Sequence, residues 1–369
     1  MTARLLLLLL LPALGAAENQ APPSELARLL GADDAGFEKA LAPRRFAFPR
    51  DHGPHPEFRN EWWYVTGNLD ATDGRRFGFE LTIFRFSLSP QAAASISAWR
   101  SNQVYIAHLA LTDADDERFF VAQRYSRGAV GLAGASADPF RVWIDDWSIA
   151  ADGQDPALWR LRAMGEDFAV DLDLRMLKEP VLNGDAGLSQ KSSDPGNASY
   201  YYSITRLETT GQVRVDGEDV HVSGLSWLDR EWSTSALAAD QVGWDWFALQ
   251  LDDGTDLMFY QLRLRDGRQD PMSAGTLVGT DGSVTHLKAE EVVLRVDDTW
   301  DSPGGGTYPS GWTLEVPTQG LALRITPVIA DQELFTTVRY WEGAVDVEGK
   351  HDQRPLAGRG YVELTGYAD

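Results

Sequence analysis

After Pro43 the chain alternates apolar and polar residues with a period of two. Phe77, Phe79, Leu81 and Ile83 alternate with Gly78, Glu80 and Thr82, and Val170, Leu172 and Leu174 alternate with Asp171 and Asp173. Successive strand side chains point to opposite faces, so these runs predict half-buried strands. Asp-Gly pairs separate such runs at Asp73-Gly74, Asp216-Gly217, Asp253-Gly254 and Asp281-Gly282. That pair tolerates the positive φ angles of a two-residue hairpin, so neighbouring strands are expected to run antiparallel. Many short strands with few helical stretches predict an all-β sandwich or barrel. Before Pro43 the pattern is helical in two short pieces, Glu25 to Leu30 after Ser24 and Asp33 to Leu41, so residues 18–45 read as a tether with short helices.

Two hairpins look alike. Trp62-Trp63-Tyr64-Val65-Thr66-Gly67-Asn68-Leu69 and Trp244-Asp245-Trp246-Phe247-Ala248-Leu249-Gln250-Leu251 each lead through an Asp-Gly turn into another strand, and the turn glycines Gly74 and Gly254 lie 180 positions apart. That is about one domain length. A duplicated β-barrel is expected, with copies over residues 46–240 and 241–369; chance similarity of two aromatic hairpins is the alternative. Leu182 to Ala198 and Asp301 to Pro309 are rich in turn residues and are expected as mobile loops at a barrel mouth. Gly304-Gly305-Gly306 is no phosphate loop, since neither Lys-Ser nor Lys-Thr follows it.

The N-terminus reads as an address. Arg4 precedes Leu5 to Leu11, and Gly15-Ala16-Ala17 supplies the small residues of a cleavage site. The apolar run is too short to span a bilayer, so residues 1–17 are expected to be a signal peptide, and the mature protein periplasmic or secreted. No later segment approaches about 20 apolar residues, so no membrane span is expected after cleavage.

Composition narrows the chemistry. The chain has 369 residues, with 33 Lys plus Arg against 55 Asp plus Glu, a net charge of −22, and no Cys. Phosphate backbones are bound by Lys and Arg, so a nucleic-acid partner is excluded. Cysteine nucleophiles, disulfides and thiolate metal sites are absent by inventory. The acids that alternate with apolar residues along strands read as a solvated outer face. The 13 Trp require another explanation.

They concentrate in three clusters. The first runs from Asp51 through His52, His55, Arg59 and Glu61 to Trp62, Trp63 and Tyr64. His52 and His55 with a carboxylate could bind a metal; two His three apart outside a helix favour the simpler reading, in which Asp51 orients a ring nitrogen and Arg59 pairs with Glu61, so no metal is assigned. In the second, Gly224 to Thr234, alternation places Trp227 and Asp229 on the face of His221 and Ser223, opposite Val220, Val222 and Leu228. Glu231-Trp232 repeats the Glu61-Trp62 pair, each with an Arg nearby, which suits either an ion pair or catalysis. In the third, Trp244, Asp245 and Trp246 face Tyr260 across a hairpin, as core packing or as ligand contact. His108 lies in a strand apolar on both faces and reads as a satisfied buried His. Nucleophile elbows, His-Glu-x-x-His and dinucleotide fingerprints are missing.

Phe48-Pro49-Arg50-Asp51-His52-Gly53-Pro54-His55, Glu61 to Gly67, Ser226 to Trp232, Gly243 to Phe247 and Leu249 to Gly254 resemble the AttH/CrtC-type lipocalin-like family. The resemblance covers nearly all of the mature chain. It implies two lipocalin-like antiparallel barrels, an apolar cavity for a lipid-like or polyene ligand, no cofactor, and an association with ABC-transporter components. Its more distant branch holds the carotenoid 1,2-hydratases. Hydration of an alkene needs a protonated carboxyl and a cation-stabilising wall. In this reading Asp229 is the acid, Glu231 and Asp245 are further catalytic candidates, and Trp227, Trp244, Trp246 and Tyr260 form the wall. The hydratases carry a His where this chain has Asp245, so the resemblance breaks there. Asp51, His52, His55, Glu61, Trp62, Tyr64 and Trp232 complete the expected ligand site. Three functions follow: binding of a hydrophobic small molecule or lipid, hydration of an isoprenoid alkene, or recognition and cleavage of a glycan on Trp platforms beside carboxylates.

Overall fold

The computed structural model describes residues 34–91, 97–234, 237–238 and 240–368. The expected signal peptide and the helix over Glu25 to Leu30 lie outside them. The second expected helix is not formed over residues 34–41. Gly36 adopts a left-handed φ of 85°, and the Glu38 N–H bonds Glu57 rather than a helical turn. Helical residues in the described chain are confined to 3-10 turns at Arg50–His52, Ala289–Glu291 and Pro317–Gln319.

Two antiparallel sheets make up the rest. The first holds β1 (Asn60–Ala71), β2 (Arg76–Ser87), β3 (Gln103–Asp113), β4 (Arg118–Arg127), β5 (Ala133–Ala137), β6 (Phe140–Ile144) and β7 (Trp147–Ala151). It continues with β8 (Leu158–Met164), β9 (Phe168–Met176), β10 (Val181–Leu182), β11 (Leu188–Gln190), β12 (Ala198–Val215) and β13 (Glu218–Ser233). The second holds β14 (Gln241–Leu251), β15 (Asp256–Leu264), β16 (Ala274–Val278), β17 (Val284–Lys288) and β18 (Val293–Asp301). It is completed by β19 (Thr307–Val316), β20 (Leu321–Pro327), β21 (Glu333–Phe335), β22 (Arg339–His351) and β23 (Arg354–Thr365). Both are wired alike: the first four strands form a meander, and the first strand also pairs with the last, β1 with β13 and β14 with β23. All four Asp-Gly pairs sit in hairpin turns, with their glycines at positive φ.

Each sheet is barrel-like and encloses its own core. Trp63, Val65, Leu81, Trp147, Leu172 and Leu228 fill the first, and Phe247, Leu249, Trp312, Leu323, Val347 and Val362 fill the second. The segment from Leu182 to Ala198 is tied down by β10 and β11 pairing with β12. The expected loop over Asp301 to Pro309 is a turn over residues 302–306 between β18 and β19, clamped by Arg339, which donates to the carbonyls of Gly304 (2.9 Å) and Gly305 (2.6 Å).

The outer faces of β1 to β3, β12 and β13 pack against those of β14, β15, β22 and β23. The approach is close: a Cβ added to Gly78 on β2 would lie 2.5 Å from Cβ of Ala344 on β22, so only glycine fits. A bulge in β12 between Ile204 and Leu207 reverses the inward parity of the strand. It directs Thr205 and Arg206 to the second sheet, where both bond Asp256, as does Lys178 (2.7 Å).

Candidate functional site

The seam between the sheets holds a cavity of about 130 Å³. Register sets its walls. On the first sheet, cross-strand partners form one rung across six strands: Gln123, His108, Thr82, Tyr64, Asp229 and Ser203. The adjacent rung runs Ile106, Phe84, Trp62, Glu231 and Tyr201. On the second sheet the facing rung is Tyr260, Trp246, Glu363 and Glu342. Residues two apart on a strand share a face, so Trp62 with Tyr64, Asp229 with Glu231, and Trp244 with Trp246 point into the cavity together.

Asp229 is 3 % exposed and accepts three hydrogen bonds, from Ser203 Oγ (2.5 Å), Trp227 Nε1 (2.7 Å) and Tyr201 Oη. Burial raises its carboxyl to about 6, while the three donors pull the other way by favouring the anion. Trp246 Nε1 donates to the same Tyr201 hydroxyl at 3.2 Å. Glu363 is pushed up to about 8, by burial first and by the charges of Asp229 and Glu231, against one hydrogen bond from Trp244. Glu342 accepts from the Tyr64 hydroxyl at 2.7 Å, and Glu80 accepts from Thr82. Burial drives both carboxyls well above the usual range, and Glu342 Oε1 and Glu80 Oε2 have no hydrogen-bond partner among the described residues. Burial thus favours the neutral forms of Glu363, Glu342 and Glu80.

His108 borders the cavity, buried as the sequence reading has it, between Gln123 (2.7 Å) and the Tyr340 hydroxyl (2.5 Å). Burial lowers its ring to about 3, so it is uncharged. The cation among the described lining residues is Lys191, whose Nζ lies 3.1 Å from Glu231 and 4.2 Å from the Tyr260 ring centroid. Tyr260 is held by Ser189 at 2.9 Å.

Of the sequence candidates, Trp62, Tyr64, Asp229, Glu231, Trp244, Trp246 and Tyr260 line this cavity, and Trp227 supports it through Asp229. Asp245 lies on the opposite face of β14, bonded by the Tyr367 hydroxyl (3.0 Å) and paired with Arg263 (3.0 Å). Asp51, His52, His55, Glu61 and Trp232 gather elsewhere, at the inner end of the first barrel. There the His55 ring stacks on Trp232 at 3.7 Å, and Asp51 approaches its Nε2 at 3.3 Å, as the sequence reading expects of an orienting carboxylate. His52 bonds the Tyr202 hydroxyl at 2.7 Å, and burial with the nearby Arg230 lowers its ring to about 3. The partner of Glu61 is not Arg59. Arg85 and Arg230, both fully buried, enclose it and hold its carboxyl well below the usual range although burial alone would raise it. No group of His and carboxylates among the described residues is arranged to hold a metal ion.

Sequence reasoning passed over Glu80, Lys191, Tyr201, Glu342 and Glu363. A signal existed for two of them. Tyr340-Trp341-Glu342 and Tyr361-Val362-Glu363 repeat an aromatic two residues before an acid, on one strand face.

The AttH-like family model matches residues 39–367. A Nitrosomonas europaea protein assigned as AttH, solved by crystallography, is 35 % identical, with a TM-score of 0.78 over 89 % of this chain and 100 % of its own. Kievitone hydratase from Nectria haematococca shares the fold at 16 % identity, with a TM-score of 0.67 over 90 % of this chain and 97 % of its own. CghA is more distant, at 13 % identity and a TM-score of 0.52 over 92 % of this chain and 98 % of its own. No curated protein sequence matches. The aromatic motifs, the two barrel-like sheets and these likenesses agree, and the chain belongs to the AttH-like family.

Proposed function

We propose that the protein binds a hydrophobic small molecule in the seam cavity and adds water to a carbon–carbon double bond there. The observation that carries this reading is a neutral carboxyl, Glu363, facing a hydrogen-bonded one, Asp229, inside an aromatic chamber. Pairs of titratable groups pushed apart by their surroundings divide into acid and base. Glu363 has one donor and keeps its proton, so it protonates one alkene carbon. The adjacent carbon becomes a cation, which the faces of Trp62, Trp244 and Trp246 stabilise by on the order of 2 kcal/mol in a desolvated site. A water oxygen then bonds that carbon and gives its proton to Asp229, whose three donors suit the anion. Return of a proton to Glu363 resets the pair, and the net reaction is alkene plus water to alcohol. A hydratase sharing this fold supports the reading.

The volume compares with an engineered cavity of about 150 Å³ that admits benzene, so the chamber takes one reactive end of a ligand. Binding without turnover is the second reading, favoured by the predominance of apolar lining. A small, mostly apolar chamber suits a sugar ring poorly, so the glycan reading is the weakest.

The test is turnover of polyene and terpenoid alkenes in 18O-labelled water, followed by mass spectrometry. Glu363→Gln is expected to lower the rate by ~10²–10⁴-fold while ligand still quenches tryptophan fluorescence. The rate is expected to fall as Asp229 protonates below about 6 and as Glu363 ionises above about 8. Binding without oxygen incorporation across the panel would leave a carrier.

A further inference from the structure

One rung of the cavity wall is polar at one end only. Along the rung Ile106, Phe84, Trp62, Glu231, Tyr201, three apolar side chains precede the acid. Strands lie about 4.8 Å apart, so the apolar stretch reaches roughly 14 Å from Glu231. Lys191 closes the polar end. Its backbone is fixed from both sides: its N–H donates to the Asn197 carbonyl (2.9 Å), and its own carbonyl accepts from Gln241 (2.7 Å), which also holds Asp270 (2.8 Å). Its ammonium therefore stays over Tyr260 and Tyr201, beside Glu231.

An ion pair on a cavity wall is poorly solvated, and nothing in alkene hydration as derived above uses it. What could complete it is decided by charge. An anionic head would meet Glu231 and Asp229 for one Lys191, and a hydrocarbon would add no partner to either ion while displacing water from both. A neutral hydroxyl can donate to the carboxylate and accept from the ammonium at once.

We propose that the ligand is an unsaturated alcohol whose hydroxyl bridges Lys191 and Glu231, with its hydrocarbon part lying along Trp62, Phe84 and Ile106. The inference rests on the seam cavity of the proposed function but not on its chemistry, so it is read by binding alone. Four probes of one shape serve: 3-methylbut-2-en-1-ol, the isosteric hydrocarbon 2-methylpent-2-ene, the methyl ether of the alcohol, and 3-methylbut-2-enoate. Affinities are measured by saturation-transfer NMR on the full chain at pH 7.

The alcohol is expected to bind at least about tenfold tighter than the hydrocarbon, as two hydrogen bonds to charged groups would give. The ether, which accepts but cannot donate, should fall between them, and the acid should bind weakest. Glu231→Gln and Lys191→Met should narrow the alcohol preference to within about twofold; the wild-type ranking stands as the test if either variant fails to fold. Equal binding of alcohol and hydrocarbon, or tightest binding of the acid, overturns the inference and leaves the cavity reading intact. Absence of binding by all four overturns both.

Discussion

Buried acids lie on both sides of the first sheet, and they obey opposite rules. On the inner face, Glu61 is enclosed by Arg85 and Arg230 and stays ionised. On the outer side, Glu80 and, from the facing second sheet, Glu342 and Glu363 have threonine, tyrosine or tryptophan partners and no arginine or lysine pair among the described residues, and burial favours their neutral forms. Glu80 and Glu342 are as fully buried as Glu61; what differs is the partner. A carboxylate locked between guanidiniums is spent on structure, whereas a neutral acid in an aromatic chamber still has a proton to give.

Three variants would break or sharpen that contrast. The largest effect is expected from Glu61→Gln, which leaves two buried guanidiniums without their counter-charge and should cost about 3–5 kcal/mol in denaturant unfolding. Because the folded carboxyl is held below its unfolded value, the stability that Glu61 contributes is present above about pH 4.3 and is lost as pH falls below it.

Glu363→Gln should act in the other direction and more gently. Between about pH 4.3 and about 8 the folded wild type holds a proton that the unfolded chain releases, so its stability declines with rising pH. Glutamine has no proton to lose. Unfolding midpoints across pH 5 to 9 are expected to show the variant gaining on the wild type, and parallel curves would mean that Glu363 is ionised in the fold.

The smallest effect belongs to Asp173→Asn, which removes the solvent-exposed pair with Arg160 (2.7 Å). Thermal unfolding should report a loss of no more than about 1 kcal/mol, since water already screens both charges.

Local features of this fold were legible in the sequence because they are written in short-range chemistry. Period-two runs became strands, Asp-Gly became turns, and Val220, Val222 and Leu228 faced the core opposite Trp227 and Asp229. What alternation cannot say is what covers the outer face. Glu363 sits among Val362 and Leu364 much as Asp171 sits among Val170 and Leu172, yet one meets a second sheet and the other meets water. The same limit explains Glu61: arginines distant in sequence, at 85 and 230, displaced the neighbouring Arg59 as its partner. Asp245 shows the converse, where proximity to two cavity tryptophans on one strand says nothing about the face it occupies.

The six-strand rung has an evolutionary consequence. Its spacing is set by backbone hydrogen bonding between strands, which is indifferent to side-chain identity, while side-chain bonds join two of its neighbouring pairs, Gln123 with His108 and Ser203 with Asp229. The backbone register that spaces Gln123, His108, Thr82, Tyr64, Asp229 and Ser203 therefore does not depend on which side chains stand there, and the bonded pairs are best exchanged together. Descendants of this scaffold can acquire new reactions by rewriting one row of side chains.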